Sequence, residues 1–143
     1  MERTLILVKP DGVKRNLVGQ VLSRIEAKGD TITALKMMSV DRSLLHLHYA
    51  EHKGKPFFEP LVEFMMSGQI VAVVAEGNRV IEGFRKLAGA TDPTIAEPGT
   101  IRGDLAYDVG TKVVQNIVHG SDSLESATRE ISIFFPELPE QLN

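Results

Sequence analysis

The sequence predicts an α+β fold, a four-stranded antiparallel sheet with covering helices in βαββαβ order. Two runs, residues 4–8 and 70–75, are apolar or β-branched without a break, the pattern of strands covered on both faces. Between the strand-like runs, apolar residues recur three and four positions apart, which is helical spacing. Clusters of glycine and proline separate the two kinds of segment.

Residues 4–8 form the first strand, and Lys9-Pro10-Asp11-Gly12 turns the chain. Val18, Val21, Leu22 and Ile25 then mark a helix, with Gly29 placed to end it. Residues 31–40 read as a second strand of less regular pattern. Asp41 is the expected N-cap of a short helix through Tyr49, because its carboxylate accepts from the free N–H groups of a first turn. After a loop at Lys53-Gly54-Lys55-Pro56, the next helix carries Phe58, Leu61, Val62 and Met65 and closes near Gly68. Residues 70–75 make the third strand. Asn78 is the expected cap of a helix whose apolar face is Val80, Ile81, Phe84, Leu87 and Ala88, with Gly89 after it.

Residues 90–115, with Pro93, Pro98, Gly99, Gly103 and Gly110, read as one long loop, a kind that is usually functional inside a compact domain. Residues 116–118 are a short last strand. Asp122 and Glu125 make a capping-box-like pair for a final helix with Leu124, Ala127, Ile131 and Phe134 on one face. This order contains the ferredoxin-like plan. Strands one and three are central in that plan, which agrees with their apolar character. Extra helices or a partner subunit must then complete the cover.

The 143 residues suit one domain, residues 1–143, with a real core. A net charge of -3 weighs against a dedicated nucleic-acid binder, although local basic clusters for phosphate remain open. The absence of cysteine excludes disulfides and thiolate zinc sites. The apolar run after Met1-Glu2-Arg3 is too short for a signal peptide, and no segment has the length to cross a bilayer. A cytoplasmic protein with no membrane partner is expected.

The chemistry concentrates in Asn116-Ile117-Val118-His119-Gly120-Ser121-Asp122-Ser123. A histidine at a strand end, followed by glycine and a helix start, is held rigidly with its ring presented. Backbone N–H groups at the helix N-terminus favour a nearby anion. A neutral imidazole is a nucleophile toward phosphorus when an acceptor orients its other nitrogen.

His119-Gly120-Ser121-Asp122 resembles the active-site signature of nucleoside diphosphate kinases. The resemblance runs from Arg3-Thr4-Leu5 to Phe135 and includes Lys9-Pro10-Asp11, Tyr49 and Lys55-Pro56-Phe57-Phe58. It also includes Gly89-Ala90-Thr91-Asp92-Pro93 and Gly99-Thr100-Ile101-Arg102-Gly103-Asp104. The order and spacing of these pieces are together specific. The resemblance implies transfer of a γ-phosphoryl group between nucleoside triphosphates and diphosphates by a ping-pong route, through a phosphorylated His119. Glu130 then hydrogen-bonds the histidine ring, and Ser121 contacts that glutamate. Lys9, Arg85, Thr91, Arg102 and Asn116 hold phosphates and sugar, and the Tyr49 hydroxyl lies near the transferred group. Phe57 stacks on the base, while Phe58 belongs to the apolar face of its helix. A ring stack is tolerant of base identity, so broad base use follows. Magnesium is expected, because hard phosphate oxygens bind it with few protein ligands, and Asp122 is the nearest candidate for a water-bridged contact. The resemblance also implies a homo-oligomer, a tetramer or hexamer.

No Walker-type phosphate loop occurs in the sequence, so the nucleotide must be held by side chains around a shallow cleft. The interval from Arg102 to His119 is longer by a few residues than the family pattern, with the extra residues within 105–115. The family sets an apolar residue of this loop against the base; here Val109, Val113 or neither takes that place. Two other readings stand beside the kinase. A phosphohistidine relay needs no nucleotide pocket, which Lys9, Arg85, Arg102 and Phe57 together imply. A ferredoxin-like nucleic-acid-binding or regulatory module is compatible with the fold, but the acidic balance weighs against it.

Overall fold

The computed structural model describes residues 1–139. Its strands are β1 Glu2–Val8, β2 Thr31–Met38, β3 Ile70–Gly77 and β4 Val118–Gly120. The helices are α1 Pro10–Lys14, α2 Val18–Ala27, α3 Arg42–His48, α4 Phe58–Met65, α5 Val80–Ala88, α6 Ile101–Leu105 and α7 Leu124–Phe134. The sheet is antiparallel in the order β2-β3-β1-β4, so the two uninterrupted apolar strands are the central ones, as expected.

Alternation along the central strands feeds two cores. Ile6, Val8, Val71, Val73 and Ala75 pack with Val21 and Ile25 of α2 and with Val80, Ile81 and Phe84 of α5. Leu5, Leu7, Ala72 and Val74 pack with Leu45, Phe58, Val62 and Met65, and with Ile131 and Phe134 of α7. The chain's own helices therefore cover both faces of β1 and β3, without help from a partner subunit. The edge strand β2 is different, leaving Leu35 50% and Met37 55% exposed.

Asp41 caps α3 as expected, its side chain accepting from the Leu44 N–H. Four other local expectations are corrected. Lys9-Pro10-Asp11-Gly12 is the start of α1, a short helix with proline in its first turn, where the missing N–H costs nothing. Arg79, in the left-handed region at φ 56°, precedes α5 in place of an Asn78 cap. Residues 90–115 contain α6, capped by the Thr100 hydroxyl accepting from Gly103 N–H; the poor helix former Gly103 hides it in the sequence. Ser123 caps α7 by accepting from Ser126 N–H, while the Asp122 carboxylate accepts from the Ser126 hydroxyl.

The last strand begins at Val118 and not at Asn116, because Ile117 interrupts the ladder. Its φ is 72°, and Val118 N–H donates to Asn116 O at 2.8 Å across it, a γ-turn. That geometry is rare and strained for a β-branched residue and costs about 1–3 kcal/mol. From Val118 onward β4 pairs with β1, setting His119 opposite Leu7.

Candidate active site

A cleft of about 1150 Å³ opens beside β4, with His119 in its wall. Lys9 at the end of β1, Tyr49 after α3, Arg85 on α5, Thr91, Arg102 on α6, Asn116, Asp122 and Glu130 on α7 also line it. Residues scattered over the sequence thus converge on one histidine. Gly120 permits part of this, since a Cβ there would lie 2.6 Å from the Phe84 ring. A larger residue would push α5, and Arg85 with it, away from the strand.

His119 Nε2 lies 2.8 Å from Glu130 Oε1. The buried Ser121 hydroxyl donates to the same oxygen at 2.8 Å and accepts from the Leu5 N–H at 3.1 Å. Burial pushes the Glu130 carboxyl up, but the bonds from His119 and Ser121 outweigh it and hold the group below its ordinary value. An ionised Glu130 accepts from Nε2–H, which leaves Nδ1, across the ring, as the nitrogen with a free lone pair.

His48, which no sequence motif marks, joins the site. Its ring packs edge-on against His119 at 4.9 Å, and it also touches Tyr49 and Phe134. Burial, then the nearness of His119, drives its pKa down to about 3, so His48 is neutral at ordinary pH. The Tyr49 hydroxyl is pushed up by burial and by Glu130, and it stays a phenol able to donate. The signal for His48 was its place beside Tyr49, three positions after the buried Leu45, on the inner face of α3.

The cations fall into two groups. Arg85 has no hydrogen-bond or ion-pair partner among the described residues, so its guanidinium fork is available to an anion. Arg102 is already engaged: Nε donates to Asn116 O, Nη1 to Gly89 O and Nη2 to Val118 O. Burial and the neighbouring Arg85 lower its pKa to about 10, so it keeps its charge. Lys9 Nζ donates to Asn116 Oδ1 at 2.9 Å, and Asn116 Nδ2 donates to Thr91 O at 2.9 Å. Burial, then Arg102, pushes Lys9 down to about 8.

Phe57 stands apart from the cleft wall. It is 40% exposed, and the His52 ring, 5.2 Å from it, is the residue that lines the cleft. Phe58 is buried, as expected. Residues 107–112 are all exposed, and Tyr107 rests on the Arg15 guanidinium at 5.2 Å. Neither Val109 nor Val113 lines the cleft. Asp122 does, and its carboxyl is held below the ordinary range by the Ser126 hydroxyl, with Arg85 and His119 nearby. Among the described residues no group of three His, Asp or Glu side chains could hold a metal ion by itself.

A family model for nucleoside diphosphate kinase matches residues 2–139. The chain is 59% identical over 138 residues to the nucleoside diphosphate kinase of Thermobifida fusca, covering 96% of this chain and 99% of that one. It is 60% identical over 136 residues to that of Streptomyces avermitilis, covering 94% and 96%. Among solved structures it is similar to a halophilic nucleoside diphosphate kinase from Halobacterium salinarum in complex with CDP. That match has a TM-score of 0.89 at 46% identity and covers 99% of this chain and 93% of that one.

Proposed function

The chain belongs to the nucleoside diphosphate kinase family, and we propose that its phosphotransfer runs through His119 in the cleft beside β4. The observation that carries this reading is the His119–Glu130–Ser121 chain of hydrogen bonds. It supports one tautomer and one ring orientation, with Nδ1 as the attacking nitrogen. In the first half-reaction Nδ1 attacks the γ-phosphorus of a triphosphate. An N–P bond forms, the bond from the γ-phosphorus to the β–γ bridging oxygen breaks, and the diphosphate leaves with that electron pair. A second diphosphate then takes the group on a terminal oxygen of its β-phosphate, and the histidine is regenerated. Donor product and acceptor are chemically alike, so one site serves both steps.

Positioning and charge neutralisation are the protein's main contributions to such a transfer. Arg85 is the free cation for the developing charge, with the remaining N–H groups of Arg102 beside it. Lys9, Asn116 and Thr91 seat phosphate and sugar, and Tyr49 offers its hydroxyl near the transferred group. Magnesium would suit a site with few protein ligands of its own: Asp122 would be the residue nearest to hold it, and the ion would neutralise part of the phosphate charge. Residues 1–143 act as one catalytic domain in the cytoplasm. No helix among the described residues is long and apolar enough to cross a membrane.

Brief incubation with γ-labelled ATP is expected to leave acid-labile label on the protein, released on addition of any nucleoside diphosphate. A protein that binds RNA and never takes up label would support the nucleic-acid module instead.

Two further expectations follow from the surface. Phe57, exposed beside the cleft-lining His52, offers a π-face, and the extra residues of the 105–115 segment lie outside the cleft wall. Purine and pyrimidine triphosphates are therefore expected to differ in kcat/KM by only about tenfold or less, since stacking differences amount to about 1 kcal/mol. A preference of several hundredfold that vanishes when the segment is shortened would make the extra residues part of the site. Leu35 and Met37 on the open edge of β2 support a homo-oligomer, a tetramer or hexamer. Light scattering at micromolar concentration is expected to give a multiple of the 15.7 kDa chain mass, and a monomer mass would contradict it.

A further inference from the structure

We propose that Asp11 is a positioning residue: its buried carboxylate locks the strained turn at Ile117 and thereby fixes the nucleotide-seating Asn116 relative to His119. The inference rests on the phosphotransfer reading for its consequence, but its geometry stands by itself.

Ile117 has a fully buried side chain and a backbone in the left-handed region at φ 72°. A β-branched residue leaves that region unless its surroundings hold it there. Both backbone polar groups of Ile117 are held from one side. Asp11 Oδ2 accepts its N–H at 3.0 Å, across 106 positions of sequence, and Lys9 N–H donates to its carbonyl at 2.7 Å. Gly12 completes the bracket, because a Cβ there would stand 3.0 Å from Ile117 Cγ2 and 2.8 Å from Val8 Cγ1. The first residues of α1 thus form a seat shaped to the turn.

No hydrogen bond of a substrate-facing side chain explains Asp11. The group is only 7% exposed, its Oδ1 has no hydrogen-bond partner among the described residues, and it is not in the cleft wall. A buried carboxylate is costly unless it does something for the fold or the site, and among the described residues the Ile117 N–H is the one bond it accepts. If the lock is lost, φ at Ile117 relaxes to a negative value and the chain direction changes between Asn116 and Val118. Asn116 stays tied to Lys9 and Thr91, while His119 stays in the ladder with β1. The misfit therefore appears as a shift of nucleotide seat against nucleophile, which acts on kcat more than on KM. Asp11 also lends negative charge to Lys9 and Arg102, so the test must separate the acceptor from the charge.

Wild type, D11A and D11N are compared in steady-state phosphotransfer and in hydrogen exchange at the Ile117 amide. D11A is expected to lose about 10–100-fold in kcat, with KM moved about threefold or less, as expected of misplaced reacting groups. D11N keeps a carbonyl oxygen for the Ile117 N–H and is expected to recover most of that loss. The wild-type Ile117 amide is expected to exchange as slowly as the amides of β1, and far faster in D11A. Wild-type kcat in D11A overturns the proposal. So does D11N as impaired as D11A, which would assign Asp11 to charge alone. Should D11A fail to fold, the wild-type amide and D11N decide: an Ile117 amide as fast as those of residues 107–112, or a D11N enzyme with kcat down more than about tenfold, overturns it. A wild-type protein without phosphotransfer would overturn the kinase mechanism, and the amide measurements would still judge the lock.

Discussion

His119→Ala is expected to abolish both half-reactions, with activity below about 10⁻⁴ of wild type and no acid-labile label, because the imidazole that Glu130 orients for attack is gone. His48, whose ring lies 4.9 Å away in the same cleft wall, is only 3% exposed, and neither of its ring nitrogens has a hydrogen-bond partner among the described residues to orient it. Nucleotide binding is expected to survive, since Lys9, Arg85 and Asn116 are untouched. Normal labelling of the variant would overturn the mechanism. The same variant carries a pH signature. Glu130 has its folded pKa held below its ordinary value by His119 and Ser121, so in the wild type it contributes stability above the ordinary carboxylate range, lost as pH falls through the folded pKa. Without His119, burial prevails and the carboxyl rises. The stability deficit of the variant against wild type should therefore be largest at neutral pH and narrow under acid, as read by thermal unfolding at several pH values. A deficit independent of pH would mean that Glu130 does not answer to His119.

Arg85→Ala is expected to lower kcat/KM by about 10²–10³, the loss of one preorganised donor to a developing charge, with little change in melting temperature. The asymmetry follows from its lack of partners: nothing in the fold leans on it. Arg102 is different. Three of its N–H groups brace the carbonyls of Gly89, Asn116 and Val118. Arg102→Ala should lose rate and also about 2–4 kcal/mol of stability, as charge-assisted bonds to these carbonyls vanish. Kinetics and thermal melts on the two variants check this. Unchanged kinetics in Arg85→Ala would return that residue to an ordinary surface charge. Equal stability losses in both would remove the distinction between a free and an engaged arginine.

Much of the fold was legible from the chain alone because the physics was local. An apolar run without alternation means a strand covered on both sides, and both such runs are central. Apolar spacing of three and four gave α2, α4, α5 and α7, and the Asp41 cap was readable one turn ahead. The His119-Gly120-Ser121-Asp122 signature pointed to the histidine that stands in the cleft wall, and the border position of Glu130 on α7 agreed with its turning inward to meet the ring.

The rest was decided by contacts between residues distant in sequence. Nothing in Arg85 and Arg102 as letters says that one is free and the other braces three carbonyls; that depends on where α6 comes to lie beside β4. His48 reads as one more apolar-face position until Glu130, His119 and Phe134 arrive around it. The γ-turn at Ile117 was invisible for a deeper reason. Local preference sends a β-branched residue to the strand region, which is why residues 116–118 read as a strand in the sequence. Only the Asp11 carboxylate and the Lys9 N–H, brought in by the start of α1, make the strained conformation the favourable one. Sequence periodicity reports which face a segment buries. A backbone held against its own preference is recorded only in the partner that holds it.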